Sequence, residues 1–204
     1  MTPPSGPATV FLCGPRAGGN SDTAGLAFAD GLAGAGLSPR VVALRERVVA
    51  PCQGCQACAG PGHRCPLNRA GDAAEALFDM IETSPVAAFA APIYFYHLPA
   101  LFKGFIDRVQ RRYAARVAAM AAADGQAAPA PRPAYVLLVA GRPRGERLFE
   151  GSLLTLKYFL WPLGREIAGS CLLRGQDAPG DLAGDAASLE RIGALARDAA
   201  RACR

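Results

Sequence analysis

Four cysteines crowded into fourteen residues are the strongest chemical signal in this sequence: Cys52, Cys55, Cys58 and Cys65, in the pattern C-x2-C-x2-C-x6-C-P. Thiolates are soft ligands that select iron–sulfur clusters or zinc. Three of them at successive x2 spacings let one tight loop wrap three corners of a cubane, and a fourth closes it. Zinc more often takes two separated pairs. The spacing therefore favours a single 4Fe-4S cluster, with free or redox-active thiols as the second alternative and zinc as the third. The total of seven cysteines is odd, and the local crowding argues against a secreted disulfide framework. Cys13, Cys171 and Cys203 read as small packing residues.

A second constellation is Cys13-Gly14-Pro15-Arg16-Ala17-Gly18-Gly19-Asn20-Ser21-Asp22, which follows an apolar run and precedes a helical pattern. Small residues let the backbone curl, and N–H groups at a helix start hold phosphate. Arg16 adds charge, and Asn20 and Ser21 add side-chain donors. The plainer alternative is a Gly-rich strand-to-helix turn. Neither GxxxxGK[ST] nor a G-x-G-x-x-G after a strand is present, which leaves Walker-type and Rossmann dinucleotide sites unsupported. A third group is Ile93-Tyr94-Phe95-Tyr96-His97, aromatic side chains able to stack on a flat ring or, more plainly, to cap the sheet. His97 reads as a surface histidine rather than a proton donor.

The elements that must position these groups alternate between strand and helix. Continuous apolar runs predict buried strands at 8–13, 40–44, 86–94, 135–140 and 167–173. Helical spacing predicts helices at 21–35, 72–82, 152–159 and 185–202, and one long helix opening at Pro99 and continuing past Tyr113 to Val117. Five strands separated by helices imply an α/β fold, a doubly wound parallel sheet of flavodoxin-like order 2-1-3-4-5 with helices on both faces. Ligands then sit beyond the C-terminal strand ends, where the phosphate-type loop and the aromatic loop both fall. No internal repeat is visible, and the Ala/Pro-rich 121–133 stretch reads as a surface connection. One domain over 1–204 is expected, with the cysteine loop at 51–66. Arg108, Arg111, Arg112 and Arg116 read as a solvated basic face or a subunit contact, and Lys103, Asp107 and Arg108 as a structural ion pair.

The run CGPRAGGNSD resembles the G-S-P-R-x-x-G-N-[ST] phosphate loop of the NADPH-dependent FMN reductase family, and Pro92-Ile-Tyr-Phe-Tyr with Lys103-Gly-Phe-Ile-Asp-Arg108 is similar to its P-x-Y-x…K-x-F-I-D-R stretch. The resemblance implies an FMN-dependent oxidoreductase with Arg16, Asn20 and Ser21 on the FMN phosphate, and Pro92, Tyr94 and Phe95 along the isoalloxazine. The serine of that family's loop is Gly14 here. The cysteine spacing is similar to that of the family's iron–sulfur flavoproteins, which implies a 4Fe-4S cluster on Cys52, Cys55, Cys58 and Cys65 and an electron-transfer role. NAD(P)H or a ferredoxin-like protein is then the expected donor, a small molecule the acceptor, and a homo-oligomer the expected assembly. A cluster-free NAD(P)H-dependent FMN or quinone reductase is the alternative. A zinc-stabilised, non-enzymatic binding module is a further one.

Composition sets the outer limits. The chain has 204 residues, 51% hydrophobic and 19% charged, enough for a core without disulfides or metals. The net charge of +5 is carried almost wholly by arginine, since Lys103 and Lys157 are the only lysines. A coding bias towards arginine explains that, and no nucleic-acid partner is expected. No basic leader precedes the first apolar run, and no run reaches the roughly 20 residues of a membrane span. The expected location is the cytoplasm.

Overall fold

The computed structural model describes residues 6–123 and 129–203. In chain order the elements are β1 (Thr9–Leu12), α1 (Asn20–Gly34), β2 (Arg40–Ala43), α2 (Ala74–Thr83), β3 (Ala87–Pro92), α3 (Ala100–Asp107), α4 (Gln110–Ala122), β4 (Arg132–Val139), α5 (Glu150–Leu160), β5 (Arg165–Leu173), α6 (Asp181–Gly184) and α7 (Ala186–Arg201). The five strands are all parallel, in the order β2-β1-β3-β4-β5. This is the flavodoxin-like order expected from the sequence.

Helices cover both faces, and the two faces pack differently. On one, Phe11 and Phe89 are register partners on β1 and β3 and stack at 5.1 Å. Phe78, Phe102, Phe105 and Phe159 complete an aromatic core under α2, α3 and α5. On the other face α1 and α7 lie close together over small residues. A Cβ added at Gly31 would stand 2.6 Å from the Ala196 Cβ, so only glycine permits that approach. Phe28 and Leu32 of α1 are fully buried there, against Ile192 and Ala196 of α7.

The structure differs from the sequence expectation in three places. The long helix breaks at Arg108–Val109 into α3 and α4. At the break the Arg108 guanidinium turns inward and donates to the Asp72 carboxylate (2.7 Å), the Ala50 carbonyl (2.8 Å) and Asn68 Oδ1 (2.6 Å). β4 and β5 each begin earlier than the apolar runs suggest, at Arg132 and Arg165. The expected 121–133 connection is therefore shorter at its far end, and its 124–128 part lies outside the described residues. The basic face on α4 is also corrected. Arg111 and Arg112 are ion-paired to Glu75, Asp79 and Glu82 of α2, and Arg116 lies 5.0 Å over the Trp161 ring. Lys103 and Asp107 form the expected pair at 2.5 Å. Among the described residues no helix is long and apolar enough to cross a membrane.

Candidate functional site

At the C-terminal ends of β1, β3 and β4 two clefts meet. The first, about 220 Å3, is lined by the 14–21 loop together with Pro92, Ile93, Tyr94, Gly141 and Asp177. The second, about 380 Å3, is lined by Ile93, Phe95, Tyr96, Gly141, Arg142 and Leu148. They share Ile93 and Gly141 and form one trough, polar at the loop end and aromatic at the other. A Cβ at Gly141 would meet the carboxylate of the exposed Asp177 side chain, so the cleft is narrow there.

The polar end is built by the turn from β1 into α1. The first N–H groups of a helix have no intrahelical acceptor, so α1 directs donors into the cleft. Ser21 is buried in the wall, and its hydroxyl stands 2.7 Å from where a Gly14 Cβ would be. Gly14, the position that departs from the motif, thus leaves room for the hydroxyl that Ser21 brings. Arg16 is exposed and folds across Gly19, its Nε 3.3 Å from the position of a Cβ there. Asp22 accepts the Gly18 N–H (2.9 Å) and pairs with Arg45 (3.0 Å), which offsets a buried carboxylate that would otherwise oppose an anion.

Asn20 behaves differently from its expected role on a phosphate. It is buried, its Nδ2 donates to the Gln176 and Ala178 carbonyls (3.0 and 2.9 Å), and its Oδ1 accepts the Leu182 N–H (3.3 Å). The side chain bolts the start of α1 to the segment after β5. Nothing in the local motif reveals this, because its partners lie far along the chain.

The aromatic end rests on a tight hairpin. Tyr94 and His97 exchange backbone hydrogen bonds (2.9 and 3.0 Å), and the two residues between them, Phe95 and Tyr96, both have positive φ (49° and 64°). That is a two-residue turn of the primed kind, which ordinary side chains adopt at a cost of about 1–3 kcal/mol each. Phe95 is fully exposed, at 102%. Tyr96 receives a hydrogen bond from Arg142 (2.9 Å), whose guanidinium also lies 5.7 Å from its ring centre. Tyr96 belongs to the aromatic group expected from the sequence, whereas Gly141 and Arg142 do not; the Gly141-Arg-Pro-Arg-Gly turn at the end of a strand is the signal that points to them. Pro92 and Tyr94 line the polar cleft and Phe95 the aromatic one, so the expected ring-side residues divide between the two. His97 Nδ1 accepts the Leu98 N–H (2.9 Å), which puts the proton of the neutral ring on Nε2, facing Thr155 Oγ1 at 3.2 Å. It is a structural link to α5.

The cysteine loop lies elsewhere, against α4. Cys52, Cys55, Cys58 and Cys65 all line one cleft of about 670 Å3, with Arg108 and Arg111 on its far wall. Cys52 and Cys55 are exposed and Cys58 and Cys65 half-buried. The backbone is sharply turned, with positive φ at Gly54, Gln56, Gly62 and His63, and His63 Nδ1 lies 3.1 Å from the Cys58 carbonyl. Among the described residues no three His, Cys, Asp or Glu side chains are placed to hold a metal ion. The thiols share a space without converging on a point, so neither a cluster nor zinc fits them as they stand. The other cysteines match their expected inert character: burial, with a contribution from the Asp22 charge, pushes the Cys13 thiol well above its ordinary value, and burial raises Cys171 and Cys203.

Residues 8–143 match the NADPH-dependent FMN reductase family, a span that includes the phosphate-type loop, the cysteine loop and the aromatic hairpin. The chain belongs to that family. It is an oxidoreductase, and FMN is the cofactor its family uses, so the non-enzymatic zinc module is set aside. No curated protein matches the sequence. Among solved structures, a flavone reductase is similar over 96% of this chain and 62% of its own, with 14% identity and a TM-score of 0.71. The chain thus spans less than two thirds of that protein. An NAD(P)H:quinone oxidoreductase from Methanothermobacter marburgensis shares 20% identity over 95% of this chain and 97% of its own, with a TM-score of 0.63. An FMN-dependent NADH-azoreductase from Bacillus anthracis str. Ames Ancestor, in complex with FMN, shares 12% identity over 98% of both chains, with a TM-score of 0.61. At these identities the likeness is one of fold.

Proposed function

We propose that the chain, acting as one domain over residues 1–204, is an NAD(P)H-dependent reductase that holds FMN in the trough and delivers electrons to a small planar acceptor of the quinone or azo class. The observation that carries this is the continuity of the two clefts through Ile93 and Gly141, which joins an anion-binding helix start to an aromatic wall. FMN, when bound, supplies the transfer of a hydride or electrons between nicotinamide and acceptor. The protein's part is binding and orientation. Backbone N–H groups of α1, the Ser21 hydroxyl and Arg16 hold the phosphate, while Asn20 keeps the loop in place from behind. Pro92, Tyr94 and Phe95 border the ring, and the Tyr96–Arg142 contact fixes the hairpin that covers it. The proposed donor is NAD(P)H, and the assembly a homo-oligomer.

The test is direct. Purified protein should carry about one FMN per chain, bleach anaerobically on adding NADPH, and regain colour with a quinone. Protein that takes up no flavin sinks the proposal.

A second reading places the chain in the iron–sulfur subgroup, with a 4Fe-4S cluster on Cys52, Cys55, Cys58 and Cys65. Its support is their spacing and their shared cleft. As placed, the thiols do not converge. Iron and acid-labile sulfide measured after anaerobic reconstitution separate the readings: about four iron atoms per chain favour the cluster, and none removes it.

A further inference from the structure

The opposite end of the sheet carries an unexplained concentration of positive charge. Arg132 and Arg165 open β4 and β5 and are register partners, so two cations stand side by side on adjacent strands. Arg165 is 2% exposed and bonds only to carbonyls, its NH1 to Pro133 (3.0 Å) and its NH2 to Ile81 and Ser84. Its Nε has no partner, nor do Nε and NH1 of Arg132, all of them buried. Among the described residues neither arginine makes an ion pair, and neither does Arg116, whose Nε is also buried and unpartnered.

A buried guanidinium such as that of Arg165 ordinarily has a carboxylate, because an uncompensated buried charge is costly, whereas Arg116 and Arg132 are half-buried. The carboxylates here, Asp79 and Glu82, are both held by Arg112 (2.6 and 2.7 Å). Arg116 and Arg132 line a cavity of about 310 Å3 with Asp79, Glu82 and Gly164. Burial, reinforced by the charge of Arg132 and opposed by Cys203 and Glu82, brings Arg165 down to about 10.

We propose that this cavity, at the end of the sheet away from the trough, binds a small oxyanion of the phosphate class through Arg132 and Arg116. Planar forked donors suit such an oxyanion, and its charge relieves the Arg132–Arg165 repulsion. Inorganic phosphate and an esterified phosphate share that chemistry.

The experiment uses FMN-saturated protein, so that the trough is filled. Thermal unfolding is followed with millimolar inorganic phosphate, with phenyl phosphate, and with sodium chloride at matched ionic strength. The expected result is a saturable rise of about 5 °C with a phosphate compound over chloride. Arg132→Met and Arg116→Met should each weaken that response about tenfold in concentration, as the loss of a charged hydrogen-bonded contact implies, with flavin reduction unchanged. The stronger of the two phosphate responses identifies the free ion or the ester as the ligand. Equal melting in phosphate and chloride overturns the proposal, as does an undiminished response in the variants. If Arg132→Met does not fold, Arg116→Met decides alone.

Discussion

The phosphate-type loop and the cysteine loop are both short, glycine-containing and rich in chemical side chains, yet one is assembled and the other is not. In the first, buried Asn20, Ser21 and Asp22 are anchored or packed, and the donors that face the cleft come from the helix itself. In the second, two of the four sulfurs are exposed and no three ligating side chains converge. The contrast teaches that a site made of main-chain donors is completed by folding, because the helix that supplies them is held by its own packing. The cysteine side chains have no comparable packing to fix them, and folding brings the four thiols only into the same cleft.

The sharpest way to break the comparison is to remove what anchors the cysteine loop from inside. Arg108→Met leaves the Asp72 carboxylate buried and unpaired and should cost about 3–5 kcal/mol in urea unfolding, much more than any cysteine change. Next, Asn20→Ala strands the carbonyls of Gln176 and Ala178 and the Leu182 N–H. It should cost about 2–4 kcal/mol and weaken FMN binding in fluorescence titration, because the turn that opens α1 loses its anchor.

A smaller effect concerns acid. Burial works against the charge of Asp72, but hydrogen bonds from Arg108 and from the Ala50 and Ala74 N–H groups outweigh it and hold its carboxyl below the ordinary range. A depressed folded value means that this stabilisation is complete above about pH 4 and is lost as pH falls further. Asp72→Asn should therefore flatten the acid limb of stability, read as the midpoint of urea unfolding against pH. The smallest change is expected from Cys52→Ser, an exposed position, within about 0.5 kcal/mol of the parent and with unchanged FMN content. A large loss of stability there would mean that the cysteine loop is as preassembled as the phosphate-type loop.

What the sequence disclosed followed the range of the interactions. The strand order and the 14–21 loop were legible because apolar runs and turn residues act locally. The helix break at Arg108 was not, since the Asp72 that Arg108 pairs with there lies far back in the chain, beyond the cysteine loop. The starts of β4 and β5 were hidden because Arg132-Pro133 and Arg165-Glu166 carry no apolar pattern, although the sheet pairs them. The sequence marks Asn20 as a donor at the loop, and its bonds to Gln176, Ala178 and Leu182 add an anchoring role that the local motif does not carry. The aromatic hairpin was seen as a group of rings, but its left-handed turn and the Arg142 contact depend on a neighbouring strand end.

The bolt through Asn20 also sets an order of events during synthesis. Its partners at Gln176, Ala178 and Leu182 are separated from it by 156, 158 and 162 residues. The loop emerges from the ribosome long before its anchor exists, and contacts of such separation form late. The segment translated early is therefore finished last, and a nascent chain halted before Gln176 would have the loop's residues without their anchor.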